Sequence, residues 1–213
     1  MSLDSWRGLN SSVVRGALDH IHRKFVSGDR RAAVTGALAR LLRGTSARTV
    51  LDLGCGDGQI GVALAAAAGA RLTSMDIIRS PTALCAVELY DGVGIPHARD
   101  SFDVCLLADV LHHTASPRNL LKEALRVAPH VLLKDHMSFG RRSDWVLTMM
   151  DLVGNPLHSA RAQYLSPAGW LTVLEGVGAT QELVWPLRVH APVVSLFTGA
   201  EHQFAALLTR HQA

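Results

Sequence analysis

Apolar positions along the chain change period twice, and the changes divide it. Residues 3–26 and 31–43 read as helices, the second with Ala33, Val34, Leu38, Leu41 and Leu42 on one face. Asp29 is the expected N-cap of that helix and Gly44 its expected stop. From Thr49 the pattern shortens to Val50-Leu51-Asp52-Leu53, closed by Gly54, a buried strand entering a turn. A helix over 59–68 and a strand over 71–75, ending at Asp76, follow. A short strand is expected over 86–89, with almost no helix before it: residues 78–82 leave hardly a turn. The nearly continuous apolar run 102–108 predicts a strand buried on both faces. Then come a helix over 117–127, a strand over 130–133, helices near 142–153 and 166–176, and a closing pair of strands over 181–189 and 203–209. Strands alternating with helices predict a mostly parallel, Rossmann-like α/β sheet of seven strands with helices on both faces. The division expected is an N-terminal helical cap over 1–47 and one α/β domain over 48–213.

Such sheets bind ligands beyond the carboxyl ends of their strands, where strand order reverses. Residues 54–58, 76–77, 91–92, 108–113 and 134–136 therefore carry the functional interest. The strongest local signal is Gly54-Cys55-Gly56-Asp57-Gly58, a Gly-x-Gly-x-Gly turn between a strand and a helix. Glycine admits unusual backbone angles and close approach of a ligand, and the helix start offers unpaired N–H groups. A nicotinamide-binding loop would read G-x-G-x-x-G, and here the third glycine comes one residue early, with Gln at 59. Asp76, 20 residues after Gly56, is placed to accept both hydroxyls of a ribose, with Ile77 beside it for an adenine face. A turn or cap role is the structural alternative for Asp76.

Composition narrows the class. With 213 residues, 48% of them hydrophobic, the chain forms a core without disulfides, and three Cys make a disulfide framework unsuitable. Cys55, Cys85 and Cys105 are expected as buried free thiols. The first twenty residues do not resemble a signal peptide, and the longest uncharged apolar run, 60–70, is too short to span a membrane. A soluble cytoplasmic protein is the expectation. Residues 1–48 hold nine Arg/Lys against three Asp. That asymmetry suits either a solvated helix face or an anionic partner such as nucleic acid. No Lys/Arg run exceeds two residues and aromatics do not interleave with them, which favours the solvated face.

Beyond the glycine loop, four further segments carry a family likeness: Asp91-Gly92-Val93-Gly94-Ile95-Pro96 continuing to Ser101-Phe102-Asp103; Ala108-Asp109-Val110-Leu111-His112-His113-Thr114; Leu120-Leu121-Lys122-Glu123 continuing to Arg126-Val127; and Tyr164-Leu165-Ser166 continuing to Trp170. In combination they resemble the class I S-adenosylmethionine-dependent methyltransferases over about residues 48–210. The resemblance implies S-adenosylmethionine as cofactor. Gly54, Gly56 and Gly58 would line its methionine part, and Asp52 would support that loop or reach the amino group through water. Asp76 would bind the ribose, Asp91 and Gly92 would lie beside the adenine, and Ala108 and Asp109 beneath the methionine chain.

The family's chemistry places a nucleophile in line with a sulfonium methyl. His113 and His136 are the candidate general bases, each with a structural role as the alternative, and His112 is expected to pack. Adjacent histidines on one short turn should diverge, so no metal site is expected. Arg7, His22, Arg141, Arg142, Asn155 and Tyr164 are candidate substrate contacts, and Trp6 and Trp145 candidate lid surface; Trp170 and Trp185 are expected in the core. The reading is a methyltransferase acting on an O, N, S or C acceptor of a small molecule, with secondary metabolism as one setting for it, as a monomer or homodimer without a membrane partner. An RNA methyltransferase and a non-catalytic cofactor-binding protein are the alternatives.

Overall fold

The computed structural model describes residues 28–154, 162–189 and 200–211. Seven strands form one sheet: β1 (Thr49–Leu53), β2 (Arg71–Asp76), β3 (Val87–Leu89), β4 (Val104–Ala108), β5 (His130–His136), β6 (Ala179–Val184) and β7 (Gln203–Arg210). Their order is β3-β2-β1-β4-β5-β7-β6. The first five run parallel, and β7 lies antiparallel between β5 and β6. Helices α1 (Gly28–Leu42), α2 (Gln59–Ala68), α3 (Pro117–Val127), α4 (Arg141–Gly154) and α5 (Pro167–Glu175) complete the described regular structure, with two short 3₁₀ turns at Leu111–His113 and Ala200–His202.

The two-residue period of the strands sorts the core into two layers. Val50, Val104, Leu106, Leu132, Ala205 and Leu207 face α1 and α2, where Val34, Leu38, Leu41 and Leu64 meet them. Leu51, Leu53, Cys105, Leu107, Val131, Leu133, Phe204 and Leu208 face α3 and α5, against Leu121, Ala124, Leu125 and Trp170. Central strands buried on both faces need apolar residues at every position, which is why 104–108 carries no alternation. Residues 28–42, expected within a cap, therefore pack one entire helix face into the sheet's core.

Several boundaries differ from the expectation. α1 already includes Gly28 and Asp29, so Asp29 is a helical residue rather than the cap, and the helix ends at Leu42, before the turn that carries Gly44. β5 extends three residues further than expected, through Lys134, Asp135 and His136. Those side chains look like a strand end, yet each finds a buried polar partner, which allows the ladder to continue. β6 ends at Val184 rather than 189. No helix lies between β2 and β3; residues 77–86 form turns. The helix expected over 3–26 lies outside the described residues.

Trp170 is buried, donates its Nε1–H to the His136 carbonyl at 2.8 Å, and meets Phe204 edge-on at 5.0 Å. Trp185, expected in the core, is half exposed, because its indole lies at the surface and its N–H reaches the Glu201 carbonyl at 2.9 Å. Trp145 is exposed on α4. Cys105 is buried, whereas Cys55 and Cys85, expected buried, are only partly covered because they sit in the turns beyond β1 and before β3; all three are free. No described helix is long and apolar enough to cross a membrane.

The tightest contact at a described glycine is at Gly61 in α2. A Cβ there would stand 2.1 Å from Asp52 Oδ2 on β1. Gly61→Ala should lower stability by about 1–3 kcal/mol through overpacking, read as a fall in the urea midpoint at unchanged slope.

Candidate functional site

The site grows from the reversal of strand order between β1 and β4. Chains leaving neighbouring strands there turn to opposite faces, so a cleft opens beyond their carboxyl ends. A cavity of about 330 Å³, in the size range of small-molecule sites, occupies it.

One wall is the loop after β1. Gly54, Gly56 and Gly58 have φ of 73°, 55° and 77°, the left-handed region. Gly54 N donates to the Met75 carbonyl at 2.8 Å, and a Cβ on Gly54 would stand 2.6 Å from the Val110 side chain. A Cβ on Gly58 would meet Cys85 Sγ at 2.5 Å. At Gly56 a Cβ would meet nothing within 4 Å, so this glycine leaves open space along the cavity wall. Close packing thus demands Gly54 and Gly58, whereas Gly56 keeps room for a ligand. Gly54 and Gly56 line the cavity; Gly58 does not.

Asp76 closes the loop from below. Its Oδ2 accepts from Gly56 N at 2.8 Å and its Oδ1 from Ile77 N at 2.7 Å. The residue is buried, because the loop N–H groups draw the carboxylate inward. It still lines the cavity, with lone pairs left for a ligand donor. Beside it, Asp52 is buried behind the loop and outside the cavity lining. Burial, together with the Asp76 and Asp57 charges, pushes its carboxyl up to about 7.

The opposite wall is apolar: Ile77, Tyr90 and Val93, with Gly92 between the last two. Asp91 turns away from it. Its Oδ1 accepts from Val93 N at 2.8 Å and Gly94 N at 2.9 Å, an Asx turn that shapes the wall from outside. The third side follows β4: Asp109, Val110, His113, the 114–116 turn, and Asn119 and Leu120 of α3. Ala108 is set back from the lining.

Asp109 has φ 61°, uncommon for a residue with a side chain. Its carboxylate contacts Arg30 of α1 at 2.6 Å, the Lys134 ammonium, and His136 Nδ1 at 3.3 Å. Lys134 and Arg30 hold it well below the usual carboxylate range, against the cost of burial. Burial drives the Lys134 ammonium down to about 8. Burial and the neighbouring Lys134 charge drive His136 down to about 4, so its ring is neutral near pH 7.

The two expected bases are therefore separated: His113 stands in the cavity wall, and His136 lies buried behind Asp109. His112, fully buried, hydrogen-bonds through Nδ1 to Asp135 Oδ1 at 2.6 Å. The Asp135 carboxylate holds His112 up at about 10 despite burial. Its ring stacks on Tyr164 at 5.3 Å. His113 Nε2 lies 3.4 Å from Asp151 Oδ2 of α4. The two rings do not diverge: their centroids are 4.0 Å apart and both approach Asp151. Arg141 and Arg142 are exposed at the start of α4, outside the cavity lining. Arg7, His22, Asn155 and Trp6 lie outside the described residues.

Sequence reasoning missed Tyr90, Val110, Asn119, Leu120 and the acid Asp151. Pro117 marks the start of α3 and would have pointed to Ser116 and Asn119. Asp151 carries no such signal, since an acid on an amphipathic helix reads as solvated surface.

Residues 51–130 match the family model described as Methyltransferase domain. That segment holds the glycine loop, Asp76 and the β4 turn. Over that segment, less than half of the chain, the sequence is similar to a methyltransferase domain. A search of curated proteins returns no match. Among solved structures, the YcgJ protein from Bacillus subtilis aligns with TM-score 0.61 and 14% identity, over 84% of this chain and 98% of its own. The Burkholderia thailandensis 1,6-didemethyltoxoflavin-N1-methyltransferase, solved with 1,6-didemethyltoxoflavin and S-adenosylhomocysteine, aligns with TM-score 0.62 and 16% identity over 100% and 92%. The [4+2]-cyclase SpnF aligns with TM-score 0.60 and 16% identity over 87% and 82%. At these identities the likeness is one of fold, and the methyltransferase fold hosts more than one chemistry.

This geometry has two measurable consequences. Asp76→Ala removes the acceptor of the Gly56 and Ile77 amides and a carboxylate that lines the cavity. S-adenosylmethionine affinity should fall tenfold or more by titration calorimetry, with a loss of about 1–3 kcal/mol in stability. Asp52 has a folded pKa raised above its unfolded value, so its favourable contribution is complete below pH 4 and disappears as pH rises through about 7. Asp52→Asn should flatten the decline of unfolding free energy between pH 4 and 7, measured by urea melts.

Proposed function

We propose that the protein transfers the methyl group of S-adenosylmethionine to a small molecule held between the cavity and the histidine turn. The observation that carries this reading is the cavity itself. Its glycine wall has open space at Gly56, its acid Asp76 retains acceptor capacity, and its far wall of Ile77, Tyr90 and Val93 is apolar. That combination fits a nucleoside with a polar tail: backbone toward the tail, carboxylate toward ribose hydroxyls, apolar wall toward the base.

The cofactor, when bound, supplies a methyl on a sulfonium, which leaves as a neutral thioether. The chain's residues bind and orient. Asp76 would accept from the ribose, Gly54 and Gly56 would lie along the methionine part, and Gly92 would let the wall approach the adenine. Asp52 supports the loop from behind and Asp91 holds the wall's turn. Asp109 is held by Arg30 and Lys134, so the backbone at the end of β4 is fixed where the methyl would lie. His113 is the side chain of the histidine turn that reaches the cavity, and it is our candidate for contact with the acceptor. His136 positions Asp109 rather than meeting the acceptor. Tyr164 stacks on His112 and bounds the acceptor side. Rate then comes mainly from holding the acceptor atom about 3–3.5 Å from the methyl and excluding water.

The test uses methyl-labelled S-adenosylmethionine with the full chain. Parallel reactions contain a small-molecule extract and total RNA. Label should appear in material of low molecular mass, and Asp76→Ala should abolish it. Label confined to RNA, or cofactor binding without label transfer to either pool, would overturn the reading.

A further inference from the structure

We propose that His112, His113 and Asp151 form a binding site for a divalent first-row transition-metal ion, with Asp135 holding His112 in position. Metal binding here does not depend on the methyl-transfer reading.

The first observation is convergence. One ligand atom from each of the three residues lies within 4.8 Å of the others. His112 Nε2 is 3.7 Å from Asp151 Oδ1, and His113 Nε2 is 3.4 Å from Asp151 Oδ2. Imidazole and carboxylate bind such ions at about 2.0–2.2 Å, and ligands at that radius in tetrahedral array stand about 3.4 Å apart. The atoms are thus spaced as the edges of a coordination polyhedron. At 3.7 Å the His112–Asp151 approach is too long for a hydrogen bond.

The second observation is the fixed tautomer. Asp135 accepts from Leu111 N at 3.0 Å and His136 N at 2.7 Å, so it is an ionised acceptor locked in place. It faces His112 Nδ1 at 2.6 Å, so Asp135 holds the Nδ1 proton, and Nε2, which faces Asp151, is the atom an ion would take by displacing its proton. Carboxylate–histidine–metal triads use this arrangement to orient and strengthen the ligand.

The third observation is orphaned polarity. His112 Nε2 is buried without a hydrogen-bond partner among the described residues, its nearest carboxylate oxygen standing 3.7 Å away. A buried ligand atom left unsatisfied is costly, and an ion between His112 and Asp151 satisfies it. Two imidazoles and one carboxylate leave further coordination positions free. Because His113 also lines the cavity, the ion would sit at its wall, where an oxygen or nitrogen donor of a bound molecule would complete its shell.

The experiment uses full-length, tag-free protein stripped with chelator and dialysed, then titrated with Co²⁺ alone. One equivalent should bind with a visible ligand-field absorption, and Zn²⁺ should displace it. Asp151→Asn should weaken Co²⁺ binding at least tenfold while the circular dichroism spectrum is kept. Asp135→Asn, which touches no metal, should weaken it about 10–100-fold. His113→Gln, at a partly exposed position, provides a ligand variant that leaves the buried His112 pair intact. Absence of stoichiometric binding to the parent protein would overturn the proposal. So would folded Asp151→Asn and His113→Gln variants that bind Co²⁺ as the parent does, since the ion would then lie elsewhere.

Discussion

Three consecutive ionisable residues, Lys134, Asp135 and His136, are buried at the carboxyl end of β5. Unpaired, each would cost several kcal/mol or lose its charge. Their partners must therefore come to them, and each partner belongs to a different element. Asp109 of the β4 turn meets Lys134 and His136; Arg30 of α1 completes that cluster. Leu111 N and His112 of the 3₁₀ turn meet Asp135. Asp151 of α4 lies beyond His112, and Trp170 of α5 ties to the His136 carbonyl. One strand end thus decides where α1, α4, α5 and the β4 turn stand.

The consequence for function is a division between two sides of one cleft. The side toward β1 and β2 is built from backbone: glycines in left-handed conformations, with one carboxylate, Asp76, satisfying the loop amides. It is shaped to admit a ligand closely. The side toward β5 is built from charged and imidazole side chains, nearly all buried and paired, and is shaped to stay still. Between them Asp109 belongs to both, lining the cavity while its carboxylate joins the charged cluster. Removing its partners would release the cavity wall without touching the glycine loop, so the rigid side supports the adaptable one.

The glycine loop, Asp76 and the order of early elements were legible because each carries its own local signal. Strand 104–108 is read from an unbroken apolar run, and 54–58 from glycine spacing. The buried row at 134–136 was not legible as strand, because Lys, Asp and His normally mark an exposed end, and only partners remote in sequence reverse that. Asp91 resembled a ligand contact; in the structure its Oδ1 caps a turn and the residue stands outside the cavity lining. The pair His112-His113 was expected to diverge; the 3₁₀ turn and the pull of Asp135 on the first ring and Asp151 on both bring them together. Trp170 and Trp185 have similar apolar surroundings in sequence, and tertiary packing alone separates the buried one from the exposed one.

The central claim is that a ligand enters against the glycine loop and Asp76 while the charged strand end holds its place. Amide hydrogen exchange with and without S-adenosylhomocysteine tests it most directly. The account predicts strong added protection at residues 54–58 and 76–78, moderate protection at 92–94 and 113–116, and little change in β6. Protection centred on β6 and β7, or none along the glycine loop at saturating ligand, would contradict it.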